Sequence, residues 1–261
     1  MREGVVKSFD GVEIAFSEGG WGKTAVVLIH GWSCDRTYWA GQVAALAADH
    51  RVVLPDLAGH GKSGGDREPW SIASFGHDVA AVVRRLALER VVLVGHSMGG
   101  LAALEAAPPL EGRAIGAVTV DTLHDADRGH DVAWWRKLAK RLEDDFPATC
   151  KRMVRTMFRS DADPAIVARV AAAMGAARPE IGAELIRLLP IYDEAGALSR
   201  AGVPIRAINA PGYPTNVEAN RKHAADYEAL IMQGVGHFPM FDRPAEFNRL
   251  LAGIVAELAA G

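Results

Sequence analysis

The ten residues Val91–Gly100, VVLVGHSMGG, decide the fold. VVLV runs without polar alternation, the pattern of a strand buried on both faces. Gly95, Ser97 and Gly99 then form G-x-S-x-G, and LAALEAA at 101–107 is a helix-forming run. A serine between such a strand and helix sits on a sharp, strained turn, and the two glycines remove side chains that would clash there. The new helix brings free backbone N–H groups and a positive dipole end to the same point, where they favour negative charge on a reacting oxygen. The bland alternative is a glycine-rich turn with an incidental serine. The flanking strand and helix argue against it and make Ser97 the candidate nucleophile.

Outward from this stretch the same alternation continues. AVVLI at 25–29, VVL at 52–54, AIGAVTV at 114–120, VPIRAI at 203–208 and a last run at about 228–233 read as further buried strands. Helical spacing marks 37–48, 72–87, 99–107 and 244–259. Strands alternating with helices predict a parallel sheet covered on both faces. At the start, 5–9 and 12–17 flank Asp10 and Gly11, which predicts an antiparallel hairpin with a tight turn. Between 121 and 203 the alternation breaks. Amphipathic segments near 131–142, 147–159, 164–175 and 180–189, punctuated by Pro147, Pro164, Pro179 and Pro190, predict a helical insertion at 122–202 in a core made of 1–121 and 203–261.

A serine hydroxyl is a weak nucleophile at neutral pH and needs a base. His237 is the candidate, in GVGHFPM at 234–240 just after the last strand, where two glycines let a loop carry an imidazole over the C-terminal sheet edge. His30 and His60 flank glycine turns and His96 lies within the elbow, all read as structural, while His50, His77 and His223 read as surface residues.

Together HGW at 30–32, LPDLAGHGKS at 54–63, GHSMGG at 95–100 and GVGHFPM at 234–240 resemble the α/β-hydrolase superfamily, in its capped serine esterase form. The resemblance spans nearly the whole chain outside the insertion. It implies an α/β-hydrolase fold with a mostly parallel eight-stranded sheet, helices on both faces and a helical cap after strand 6. It further implies an oxyanion hole made by the backbone N–H groups of Trp32 and Met98. A serine nucleophile sets the chain apart from haloalkane dehalogenases and epoxide hydrolases, which use Asp there.

The triad acid departs from the usual pattern. INAPGYPTN at 208–216, where many relatives carry the acid, contains no Asp or Glu. Some relatives place it at the end of the strand after the nucleophile helix, which here is Asp121. A carboxylate ending a buried strand needs a partner, and an imidazole is a good one. Asp125, Glu218 and Asn209 remain alternatives, and a local turn cap is the structural alternative for Asp121.

HGKS at 60–63 fails as a phosphate loop, because Asp56 stands where the first glycine belongs. His124, Asp125, Asp127, His130 and Asp131 match no metal-ligand spacing and read as a polar cap entrance, with His124 near the pocket. No metal or cofactor is expected. Trp134, Trp135, Met153, Met157 and Tyr192 are pocket candidates that could equally be the insertion's own core, and the resemblance adds Phe238.

A 49% apolar composition over 261 residues suffices for a large core, and a net charge of −3 gives no nucleic-acid footprint. Cys34 and Cys150 are too few for a disulfide scaffold. Residues 1–20 lack a basic start followed by an apolar core, and no run approaches the ~20 apolar residues that span a bilayer, so a cytoplasmic protein acting on a small ester is expected. Nothing sets an oligomeric state. Lactones, thioesters and carbon–carbon bonds are alternative targets for the same triad, and a hydrolase-like ligand receptor is the rival from another class.

Overall fold

A computed structural model describes all 261 residues. The chain opens with strands β1 (Arg2–Lys7), β2 (Glu13–Gly20) and β3 (Ala25–Ile29), helix α1 (Ala40–Leu46), β4 (Arg51–Pro55), α2 (Ile72–Arg85), β5 (Val91–His96), α3 (Met98–Ala106) and β6 (Ala114–Val120). Helices α4 (Val132–Asp144), α5 (Phe146–Met157), α6 (Pro164–Gly175), α7 (Pro179–Leu188) and α8 (Glu194–Ala201) follow. The chain closes with β7 (Ile205–Asn209), α9 (Val217–His223), β8 (Tyr227–Ile231), α10 (Pro239–Asp242) and α11 (Pro244–Ala260).

The eight strands form one sheet in the order β1-β2-β4-β3-β5-β6-β7-β8. β1 and β2 join antiparallel, and every pair from β4 to β8 is parallel. The expected α/β-hydrolase fold is therefore present. Strands β3 and β5 lie at the centre, and Val26, Val27, Val92 and Val94 are wholly buried because helices cover both faces. Helix α3 is apolar except for Glu105, as a helix packed on nearly every side must be. Its approach to α2 is so close that a side chain at Gly76 would meet the Glu105 backbone at 2.4 Å.

Asp10–Gly11 does not form a two-residue hairpin turn. Ser8 N–H still pairs with Val12 O at 2.8 Å and Gly11 N–H closes on Ser8 O at 3.0 Å, so the strands are joined by a tight loop of three residues, Phe9, Asp10 and Gly11, with Gly11 at φ +88°. Asp10 in that loop pairs with Arg67, itself buried on Asp78. The expected helix at 37–48 divides into a 3-10 turn, Arg36–Trp39, started by the Asp35 side chain, and α1.

Four helices of the insertion fall where periodicity predicts them. Asp131, Asp145 and Asp163 cap α4, α5 and α6 by accepting a backbone N–H, and proline opens the first turns of α5, α6 and α7. The fifth, α8, is missing from the sequence reading. It packs on α3 and α9 and buries Ala197, Leu198 and Ala201. At the other boundary Asn220 of α9 bonds Leu123 O and Ala126 N, which holds that loop to the core as well. No helix is long and apolar enough to cross a membrane.

Candidate active site

Ser97 occupies the turn between β5 and α3 at φ +52°, a left-handed conformation rare for serine. The glycines explain how the chain tolerates it. A side chain at Gly95 would lie 2.0 Å from Gly99 O, and one at Gly99 2.4 Å from the carbonyl oxygens of Ile29 and His30. Ser97 N–H bonds Val120 O at 2.9 Å, which fixes the turn against β6. Met98 opens α3, so its N–H has no intrahelical acceptor, and Trp32 N–H has no acceptor in the chain. The two loops meet: a side chain at Gly31 would lie 3.3 Å from Ser97 Cβ. The Trp32 indole reaches in the other direction and donates to Gly182 O of α7 at 2.9 Å.

His237 sits in the loop after β8, held at three backbone points. Its N–H donates to Met157 O of α5 at 2.7 Å, its carbonyl accepts from His96 Nε2 at 2.7 Å, and Gly236 N–H donates to Asp242 Oδ2 at 2.6 Å. Only glycine fits at 236, where a side chain would lie 2.5 Å from Met157 O. Burial pushes His96 down to about 3, so it is a neutral support for the loop. The His96 and His237 rings are 4.7 Å apart, and His96 immediately precedes Ser97 in the chain.

The imidazole of His237 donates from Nδ1 to Asp121 Oδ2 at 2.6 Å, which leaves Nε2 free of any partner in the chain. Asp121, 6% exposed, ends β6 at φ +47° and also accepts Ala210 N–H at 2.8 Å on Oδ1. Burial alone would raise its carboxyl, but the nearby His124 imidazole and the hydrogen bonds from His237 and Ala210 outweigh it and hold the group well below the usual carboxylate range. The alternative acids stay away from the imidazole. Asn209 is buried and braces the turn, accepting Thr122 N–H and donating to Thr215, Asp125 accepts from Asn216, and Glu218 is exposed in α9.

The pocket candidates divide. Trp135, Met153 and Met157 are half-buried in the insertion, whereas Trp134 is 52% exposed and stands edge-on against Trp135. Phe238 is 1% exposed and stacks between Phe158 and Phe241, next to His237 in the loop. Tyr192 is also spoken for: its hydroxyl donates to Glu105 of α3 at 2.7 Å, fastening the chain to the core. His124 lies against Asp121, with Nε2 3.4 Å from Oδ1. The remaining members of its polar cluster have separate partners, Asp127 with Lys222 and His223, His130 with Glu194, and Asp131 with the start of α4.

Sequence reading missed Phe158, Gly182 O, Met157 O and Ala210 N–H. Three of these are backbone groups, which carry no residue-type signal.

The family model described as the alpha/beta hydrolase family matches residues 26–250. A pimeloyl-[acyl-carrier protein] methyl ester esterase of Stenotrophomonas maltophilia is 30% identical over 247 residues, covering 90% of this chain and 93% of that protein. An uncharacterised protein of Mycobacterium tuberculosis is 38% identical over 122 residues, which are 44% of this chain and 36% of the relative, so the match spans about a third of that relative's length. Among solved structures, an esterase from Thermogutta terrifontis superposes with a TM-score of 0.84 at 22% identity, covering 99% of both chains. An enol-lactonase from Burkholderia xenovorans superposes at 0.86 and 21% identity, covering 97% of this chain and 100% of that one. At such identities these two likenesses speak for the fold alone.

Proposed function

Because this chain belongs to the alpha/beta hydrolase family, we propose that it is a serine hydrolase that cleaves carboxylic esters through an acyl-enzyme on Ser97. The observation that carries the reading is the Asp121–His237 pair, with Asp121 buried and His237 half-buried, in a chain whose serine elbow holds Ser97 at positive φ at the start of α3. His237 Nε2 takes the Ser97 proton as Oγ attacks the ester carbonyl, and the Trp32 and Met98 N–H groups receive the oxyanion. Asp121 stays ionised and stabilises the imidazolium. The alcohol leaves with the proton from His237. Water then attacks the acyl carbon while giving a proton to the same nitrogen, and that proton passes to Ser97 Oγ as the acyl bond breaks and the acid leaves. Protein groups supply every step, so no metal or cofactor is needed.

We place the enzyme in the cytoplasm, which suits two buried cysteines that remain free thiols. The helices α4–α7 act as a cap over the site. Lactones fit the same chemistry, and sustained turnover separates an enzyme from a ligand receptor, which would stop after a few cycles.

The experiment is a panel of aryl esters, alkyl esters and lactones on wild type and Ser97→Ala, with fluorophosphonate labelling of both. Full hydrolysis by the alanine variant would sink the proposal.

A second reading narrows the substrate to an ester presented on an acidic carrier protein. Arg136, Lys137 and Arg141 on α4 and Lys151 and Arg155 on α5 are exposed and make no ion pair, in a chain whose net charge is −3. The Stenotrophomonas relative is named for such an ester. A kcat/KM that falls steeply with salt for a carrier-bound ester, but not for a free one, is the expected result.

A further inference from the structure

The carboxylate of Asp121 has two imidazoles beside it. His237 takes Oδ2 at 2.6 Å, and Oδ1 receives Ala210 N–H at 2.8 Å with His124 Nε2 3.4 Å away. At that separation the contact with His124 is longer and more bent than a full hydrogen bond. The Nε2 atom is nonetheless buried and finds no other acceptor, a cost for any polar ring atom unless the carboxylate answers it. The backbone is bent to bring the ring there. Asp121 at φ +47° and Leu123 at φ +54° are both left-handed non-glycine residues, and together they turn the chain so that residue 124 folds back on residue 121. Asn216 N–H then pins His124 O at 2.6 Å, and Tyr213 from the loop after β7 stands edge-on to the ring at 5.7 Å.

We propose that His124 is a positioning residue for the triad acid, bracing the Asp121 oxygen that His237 does not use and thereby tempering the pull of the carboxylate on the base. The inference rests on the serine hydrolase reading above. Held by donors on both oxygens, the carboxylate cannot rotate away from His237. A donor or cation at Oδ1 also draws off negative charge that would otherwise stabilise the His237 imidazolium. The charged groups around His124 are few. Asp121 and, through it, His237 face the ring; Asp125 on the same loop is engaged by Asn216; Lys222 and His223 of α9 are engaged by Asp127; Tyr213 presents its ring.

The test is the pH profile of kcat/KM for phenyl acetate in His124→Phe, His124→Gln and His124→Lys. Without the donor, in the Phe variant, the acid limb moves to higher pH, and with a permanent cation in the Lys variant it moves to lower pH, each by about half a unit to one unit. In the Phe variant kcat falls roughly 3- to 10-fold with little change in KM, and Gln, whose amide still donates, restores most of it. A residue that merely filled space would leave the limb of the Phe variant on that of wild type, so a Phe profile that superimposes on wild type overturns the proposal, and the Lys variant serves only to show that charge at this place reaches the base. If the Phe variant fails to fold, His124→Leu, which also removes the donor, carries the same test. Asp121→Asn is measured alongside. If it is inactive while the His124 profiles do not move, only the role of His124 is lost; if it keeps wild-type activity, the triad reading falls and takes this inference with it.

Discussion

The nucleophile elbow and the acid corner both hold a non-glycine residue in the left-handed region, Ser97 at φ +52° and Asp121 at φ +47°, yet they are built in opposite ways. Around Ser97 nearly everything is within ten residues: a buried strand, two glycines that admit a close approach, and a helix start. The Asp121 corner draws on two distant segments as well as its own loop. Ile208 O and Asn209 Oδ1 fix the turn from β7, Ala210 N–H and His124 approach the carboxylate, and His237 arrives from the loop after β8. Strain stored locally leaves glycines in the sequence. Strain held by distant hydrogen bonds leaves none.

The sharpest way to break the comparison is at the serine. Ser97→Ala should lower kcat on aryl esters by about 10⁴-fold or more without moving the melting temperature, because only the attacking oxygen is removed. Asp121→Asn keeps the shape of the corner but favours the wrong His237 tautomer, and about a 10³- to 10⁴-fold loss in kcat with the fold intact is expected; near-wild-type turnover would show that the acid lies elsewhere. Gly99→Ala strikes the elbow where it depends on close approach. Its Cβ would lie 2.4 Å from two backbone carbonyls, so a loss of about 3 kcal/mol or more, read by urea unfolding, is expected. A single hydrogen bond behind the elbow costs less. Trp32→Phe, which loses only the indole bond to Gly182 O, should cost roughly 3- to 10-fold in kcat and show as weaker binding of a boronic acid that mimics the tetrahedral state.

The smallest effect is on stability against pH. The Asp121 carboxyl lies below its ordinary value when folded, so its ionised form stabilises the fold above the unfolded value near ~3.9, and that contribution is lost as pH falls towards the lower folded value. The stability gap between wild type and Asp121→Asn should therefore narrow below about pH 4. A gap that widens there would mean that the carboxyl is protonated in the folded corner.

The fate of individual residues shows where reading from sequence stops. Helices α4 to α7 were legible because each pairs an apolar face with a proline or aspartate start. Helix α8 was not, since GALSRA is short and weakly patterned and becomes a helix by packing on α3. Phe238 and Tyr192 look like pocket aromatics in sequence. In the fold Phe238 stacks on Phe158 and the Tyr192 hydroxyl bonds Glu105, both long-range contacts.

By itself, then, the sequence determined the alternating sheet, the insertion, the elbow and the identities of Ser97, His237 and Asp121 as candidates, because periodicity, glycine and chemical type are local properties. Only the tertiary structure decided which acid faces His237 and what holds it there. That choice depends on where β6, β7 and β8 end relative to one another, and on backbone groups such as Met157 O, Ala210 N–H and Gly182 O that every residue type possesses and no residue type advertises.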